Sequence, residues 1–164
     1  MGSGTMGDTF HDQFMREAIG LSRENVREGK GGPFAALVVR NGTVIARGTN
    51  LVTSTNDPTA HAEIVAIRDA CRILHSFQLD GCDIYTSCEP CPMCLGAVYW
   101  ARPRAIYFAN TRDDAARIGF DDRTIYDEFG RDHGDRKIPM IQVLREEALV
   151  AFQEWQQKND RIPY

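Results

Sequence analysis

The stretch SCEPCPMC sets Cys88, Cys91 and Cys94 at strict three-residue intervals, and these are three of the chain's five cysteines. Upstream, the tripeptide HAE places His61 two residues before Glu63. Cys91 and Cys94 fall at the start of an expected helix, where residues three apart share a face. A helix N-terminus lowers thiol pKa values, so both sulfurs can act as thiolates near neutral pH. Pro90 suits the first helical turn, where a missing N–H costs nothing. If the helix after His61 begins beside this one, one imidazole and two thiolates converge. That donor set suits zinc, because it is soft enough and its charge cancels the ion's. Three protein ligands leave one tetrahedral position open, the mark of a catalytic centre, where the pKa of a water falls to roughly 7. Glu63 would then lie beside the metal and not on it, placed to take and return a proton.

Two other readings stand beside this one. Cys-x-x-Cys-x-x-Cys opens the bacterial ferredoxin pattern, but that pattern continues with three residues and Cys-Pro. Here Val98-Tyr99 occupies those positions, so the run breaks. A closed structural zinc site would take Cys88 as a fourth ligand, although a residue at the end of a strand, before the turn, should point elsewhere. The ligand chemistry favours the open catalytic zinc. Cys71 and Cys82 read as small buried hydrophobes. His11, His75 and His133 stand alone and take no role.

The elements that must carry these residues are legible from periodicity. Phe10, Phe14, Ala18 and Leu21 recur at helical spacing, in an amphipathic helix stopped by Gly29. FAALVV and TVIARGTN are β-branched runs joined by Asn41-Gly42, a two-residue hairpin signal. TSTNDPTA reads as a loop leading into the helix AHAEIVAIRDACRIL. GCDIYTS is a third strand, PCPMCLGAVYWA a helix ended by Arg102-Pro103, and RAIYFAN a fourth strand. IPMIQVLRE should hold a fifth strand, with a last helix in EEALVAFQEWQQKND. The segment between Arg117 and Lys137 reads as a short helix and surface loops, where specificity tends to sit. Alternation of strand and helix in the middle requires parallel pairing there. The expected architecture is a three-layer α/β/α domain on a mixed sheet of about five strands.

Composition narrows the partners. The chain has 164 residues, 43% hydrophobic and 26% charged, the profile of one ordinary globular domain. A net charge of −4 argues against a long polyanion as partner. No run is apolar for the roughly 18 residues a membrane span needs. MGSGTMGDTF lacks the basic and apolar regions of a signal peptide. Residues 1–7 read as a flexible leader of vector type, and 8–164 as the folded domain. The cytoplasm is the expected compartment, and cysteines there are read as reduced thiols or metal ligands.

H-A-E followed by P-C-x-x-C is the signature of the zinc deaminases. Together with GGPF, TNDPTAHAE, IYTSCEPCPMCLGA, YWARP, GFDD and a terminal Tyr, it makes the chain resemble the zinc-dependent cytidine deaminase superfamily. Within that superfamily it resembles the bacterial guanine deaminases, from about residue 10 to Tyr164. The resemblance implies a cytidine-deaminase-like fold, one zinc per subunit, and hydrolysis of guanine, a small nucleobase, to xanthine and ammonia. It implies a homodimer that exchanges C-terminal segments, each tail closing the partner's site. It also implies roles: His61, Cys91 and Cys94 for the metal, Glu63 and Asp122 for proton transfer. Phe34 would pack on the purine ring, Asn50 and the Ala62 backbone would bond the base's edge, and Asp122 its amino side. Tyr164 would reach in from the neighbouring subunit. On residue type alone Phe34 equally opens a core strand, Asn50 equally ends a strand in a turn, and Asp121 competes with Asp122. Chain termini usually fray, yet RIPY carries two apolar anchors that a crossing segment would need. Trp100 is expected to pack near the pocket without chemistry.

Overall fold

The two β-branched runs around Asn41-Gly42 form β1 (Ala35–Arg40) and β2 (Thr43–Thr49), paired antiparallel. Both turn residues have positive φ, 50° and 74°, giving the mirror-image turn whose twist matches that of the strands it joins. In this computed structural model the backbone is described from residue 6 to 164 and the side chains from residue 11. Residues 1–5 of the leader and the Phe10 side chain lie outside the described residues.

Helix α1 (Met6–Arg27) precedes the hairpin. After it come the short α2 (Val52–Thr55), α3 (Ala62–Leu74), β3 (Cys82–Cys88), α4 (Pro92–Ala101), β4 (Ala105–Asn110) and α5 (Arg112–Arg117). The strand order is β2-β1-β3-β4. β1 runs antiparallel to both neighbours, and β3 and β4 are parallel across α4, as a strand–helix–strand unit requires. Alternation along β1 divides the core into two layers. Leu37 and Val39 pack with Phe14, Ala18 and Tyr85 under α1. Ala36 and Val38 face Ala62, Ala66, Ala70 and Val98 of α3 and α4. The three layers are therefore α1, the sheet, and α3 with α4.

β3 is central and buried at every position, Asp83 included. The guanidinium of Arg104 answers that carboxylate through Nη2 and through Nε at 3.0 Å. Beneath α1 the Tyr85 ring stacks on Tyr107, with centroids 4.8 Å apart. Its hydroxyl lies 2.6 Å from Nδ1 of His11, and burial pushes the phenol up to about 12. His11, which reads as solitary in the sequence, is thus a hydrogen-bonded partner of the central strand. On the other face of the sheet, Cys82 is buried and Cys71 half-buried in the core under α3 and α4, and desolvation raises both thiols, as suits inert packing residues.

The chain divides into two compact units, one running to Asp122 and the other Arg123–Tyr164. The second holds α6 (Arg123–Phe129), a 3-10 turn at His133–Asp135 and α7 (Arg145–Gln157). The fifth strand expected in IPMIQVLRE does not form among the described residues, so the sheet has four strands. A strand exists only through its ladder, and within its own unit this segment has none. Ile138 and Ile141 are each 81% exposed, and Leu144 takes a left-handed conformation at the start of α7. No described helix is long and apolar enough to cross a membrane.

Helix α3 lies unusually close to the sheet. Ala62, Ala66 and Ala70 recur every four residues on its inner face, all fully buried. A Cβ on Gly48 of β2 would stand 2.1 Å from the Ala62 carbonyl oxygen and 2.6 Å from the Ala66 nitrogen. Both are helix backbone atoms that cannot yield. Gly48→Ala should therefore destabilise the protein by about 3 kcal/mol or more, read as a lowered urea midpoint. A midpoint within error of the unaltered protein would show that the helix can retreat.

Candidate active site

His61 and Cys91 are the N-cap residues of α3 and α4, both in extended conformation, and neither is assigned a side-chain N-cap hydrogen bond. The imidazole Nδ1 and the Cys91 sulfur are instead within reach of each other. Pro92, not Pro90, occupies the first helical turn, because α4 begins one residue after Cys91. Cys94 lies a turn into α4 and is fully buried. The close approach of α3 to the sheet and its packing against α4 bring the two helix starts together.

Among the described residues, His61, Cys91 and Cys94 form the group able to hold a metal ion, with ligand atoms all within 4.8 Å of one another. The imidazole Nδ1 lies 3.5 Å from each sulfur. Tetrahedral zinc, bonded at about 2.1 Å to nitrogen and about 2.3 Å to sulfur, would separate those atoms by about 3.6 Å. The donor set therefore fits zinc in chemistry and in spacing. The Cys91 thiol is drawn down to about 4, first by its hydrogen bond with Cys94 and then by His61. Cys94 is pushed up, chiefly by that same bond to Cys91 and then by burial. The two sulfurs hold a single proton between them, which a divalent cation displaces on binding.

Cys88 is not part of this group. It ends β3 with 4% exposure, its sulfur 3.6 Å from the Thr111 carbonyl oxygen, and burial raises it to about 11. Its sulfur is not among the ligand atoms that lie within 4.8 Å of one another, so the geometry supports neither the closed site nor the cluster.

Glu63 sits in the first turn of α3 with 6% exposure. Its carboxyl is raised, mainly by burial. Thr86 Oγ1 of β3 donates to Oε1 at 3.1 Å, and a hydrogen bond with Cys94 ties the carboxyl to the metal-binding group. Ala62 holds the first helical position, where the N–H has no acceptor within the helix. Asp122 is half-buried and its carboxyl is raised, first by burial and then by the Cys91 thiolate. It therefore lies within electrostatic reach of the metal ligands, whereas Asp121 is exposed. Phe34 and Asn50 are neighbours, since the Asn50 N–H donates to the Phe34 carbonyl at 3.0 Å. The Phe34 ring packs partly on the core and partly, edge to face at 4.9 Å, on Phe120. Tyr164 ends the second unit and is 71% exposed. Trp100 lies beside Tyr99 on the exposed face of α4.

Sequence reasoning missed Thr86 and Ser87, both buried in the central strand. Ser87 Oγ accepts from the Ala35 N–H at 3.0 Å and so anchors the start of β1 beside Phe34. The signal was two hydroxyls at the end of an otherwise apolar run. A buried hydroxyl has to be bonded, and this end of the strand is where the site lies.

A buried, raised carboxyl in the first turn of the helix that His61 caps, beside three donors that fit zinc, is the equipment expected of a zinc-dependent hydrolase. Residues 8–110 match the family of the cytidine and deoxycytidylate deaminase zinc-binding region, and the chain belongs to that family. It is 51% identical over 154 residues to a guanine deaminase of Bacillus subtilis (strain 168), covering 94% of this chain and 99% of that one. The crystal structure of guanine deaminase from Bacillus subtilis superposes with a TM-score of 0.92, at 51% identity, over 94% of this chain and 98% of that one. The tRNA-specific adenosine deaminase of the same bacterium is 38% identical over 100 residues, which cover 61% of this chain and 62% of that protein.

Purified protein should carry one zinc per chain by elemental analysis. Cys88→Ser should retain it and Cys91→Ala should lose it, and chelation should abolish activity that added zinc restores. Loss of zinc from Cys88→Ser, with the fold intact, would return Cys88 to the ligand set.

Proposed function

We propose that the protein hydrolyses guanine to xanthine and ammonia, a cytoplasmic step in purine breakdown or salvage. The observation that carries this reading is likeness to a guanine deaminase over almost the whole chain, at 51% identity and a TM-score of 0.92. Likeness to the tRNA-specific enzyme stops at 61% of this chain.

His61, Cys91 and Cys94 hold the zinc, which when bound supplies Lewis-acid activation of the water that displaces the amine. The remaining work falls to side chains. Glu63, a buried carboxylate raised toward neutrality, takes a proton from that water and delivers it to the adjacent ring nitrogen of the base. Thr86 orients its carboxyl through one oxygen. The second proton of the attacking water then passes to the departing amine through Glu63, with Asp122, also raised, assisting. Phe34 packs on the purine face, while Asn50 and the Ala62 N–H bond its edge.

Tyr164 completes the site from a second copy of the chain, through exchange of C-terminal segments in a homodimer. Two observations support the exchange. The second unit leaves Ile138, Ile141, Val143 and Phe152 between 70% and 81% exposed, too much apolar surface for a monomer in water. Among the described residues β4 pairs on one side only, so a second copy's edge offers the segment 138–144 the ladder it lacks.

Ammonia release should be measured with guanine, guanosine, cytosine, adenine and an aminotriazine at equal concentration. Guanine should be turned over above all others, and Glu63→Gln should lower kcat by about a thousandfold or more while zinc stays bound. Preference for another amine would overturn the substrate, and normal turnover in Glu63→Gln would overturn the proton carrier. Deleting residues 161–164 should spare zinc and dimerisation but lower kcat. Scattering that reports a monomer at micromolar concentration would refute the exchange.

A further inference from the structure

Asn25 lies on α1, outside every motif of the site, yet it is only 2% exposed. Its Nδ2 donates to two carbonyl oxygens, those of Gly32 and Asn50, each at 2.9 Å. Gly32 belongs to the turn that delivers Phe34, and Asn50 ends β2. The amide of Asn25 has one possible orientation, because turned over it would set oxygen against two carbonyls. Its Oδ1 is left buried with no partner among the described residues. A protein that accepts an orphaned buried acceptor does so where the other end of the amide is needed.

The surroundings of Asn50 are built to the same end. A Cβ on Gly31 would stand 2.2 Å from the Asn50 carbonyl oxygen and 2.8 Å from its Oδ1. The two segments can lie this close only without a side chain at position 31. Asn50 Oδ1 accepts the N–H of Gly32 and the N–H of Val52, both at 3.3 Å. Two donors fix the oxygen, and Nδ2 of Asn50 makes no hydrogen bond among the described residues. The group Asn50 can offer a ligand is therefore a donor.

We infer that Asn25 is a positioning residue for substrate recognition: it ties the Gly31-Gly32 turn to the end of β2, so that Asn50 presents its amino group to an acceptor on the purine. This rests on the reading that Asn50 meets the base. The clamp acts on both segments at once, through their main chains, so it holds the amide in place before substrate arrives and spares binding the ordering of a loop.

The test is guanine kinetics, zinc content and thermal midpoint for Asn25→Leu, Asn50→Ala and the double variant of the full-length protein. Asn25→Leu keeps the volume and removes both donors. It should raise KM about tenfold or more with a much smaller change in kcat and zinc retained. In the Asn50→Ala background the same change should alter KM by no more than about twofold, since its effect passes through Asn50. If Asn25→Leu does not fold, Asn25→Ser, which keeps one donor, takes its place. A lowered midpoint with unchanged KM would make Asn25 a scaffold residue only, and multiplied effects in the double variant would mean it acts by another route. Should Asn50→Ala leave KM unchanged, the reading of Asn50 falls and the clamp with it. Guanine as substrate would stand in either case.

Discussion

The backbone of α3 occupies the space where a side chain on residue 48 would lie, and that approach sets the distance between two helix starts. α3 delivers His61 and Glu63; α4 delivers Cys91 and Cys94. Neither helix could reach the other's ligands if α3 stood off by the thickness of a methyl group. The alanine face of α3 and the glycine of β2 are thus as much a part of the metal centre as its ligands, though they touch no metal. Positions set by backbone against backbone tolerate little error, and a site that must hold three donors about 3.5 Å apart needs that intolerance.

Electrostatics at the centre follow from the same geometry. Two helix N-termini point at one place, and their unpaired N–H groups favour negative charge there. That field suits thiolates, whereas Glu63 is buried deeply enough for desolvation to raise its carboxyl. A metal ligand and the carboxyl near it are therefore shifted in opposite directions, the Cys91 thiol downward and the Glu63 carboxyl upward. A carboxyl raised above its usual range is suited both to take a proton from water and to give it back.

Much of this was legible in the sequence because it is local. Cys91 and Cys94 share a face by spacing alone, Asn41-Gly42 dictates its turn, and the alternation of strand and helix through β3, α4 and β4 forces their parallel pairing. The failures have a common cause in partners distant along the chain. Ile138, Ile141 and Val143 have strand composition, but composition names no ladder partner, and within its own unit the segment has none. Thr86 and Asn25 are ordinary residues for a strand and a helix; only the fold reveals that one meets Glu63 and the other bridges two loops. Asp121 and Asp122 are alike on the page, and burial beside Cys91 separates them. Pro90 has the residue type for a first helical turn, but the extended N-cap at Cys91 gives that turn to Pro92.

Cys91 has one more consequence. Its thiolate is half-buried and ionised far below neutrality, while Cys71, Cys82 and Cys88 are held protonated by burial. The thiolate is the form that binds metal, so among the described residues an ion meets one landing place and three cysteines that do not compete for it.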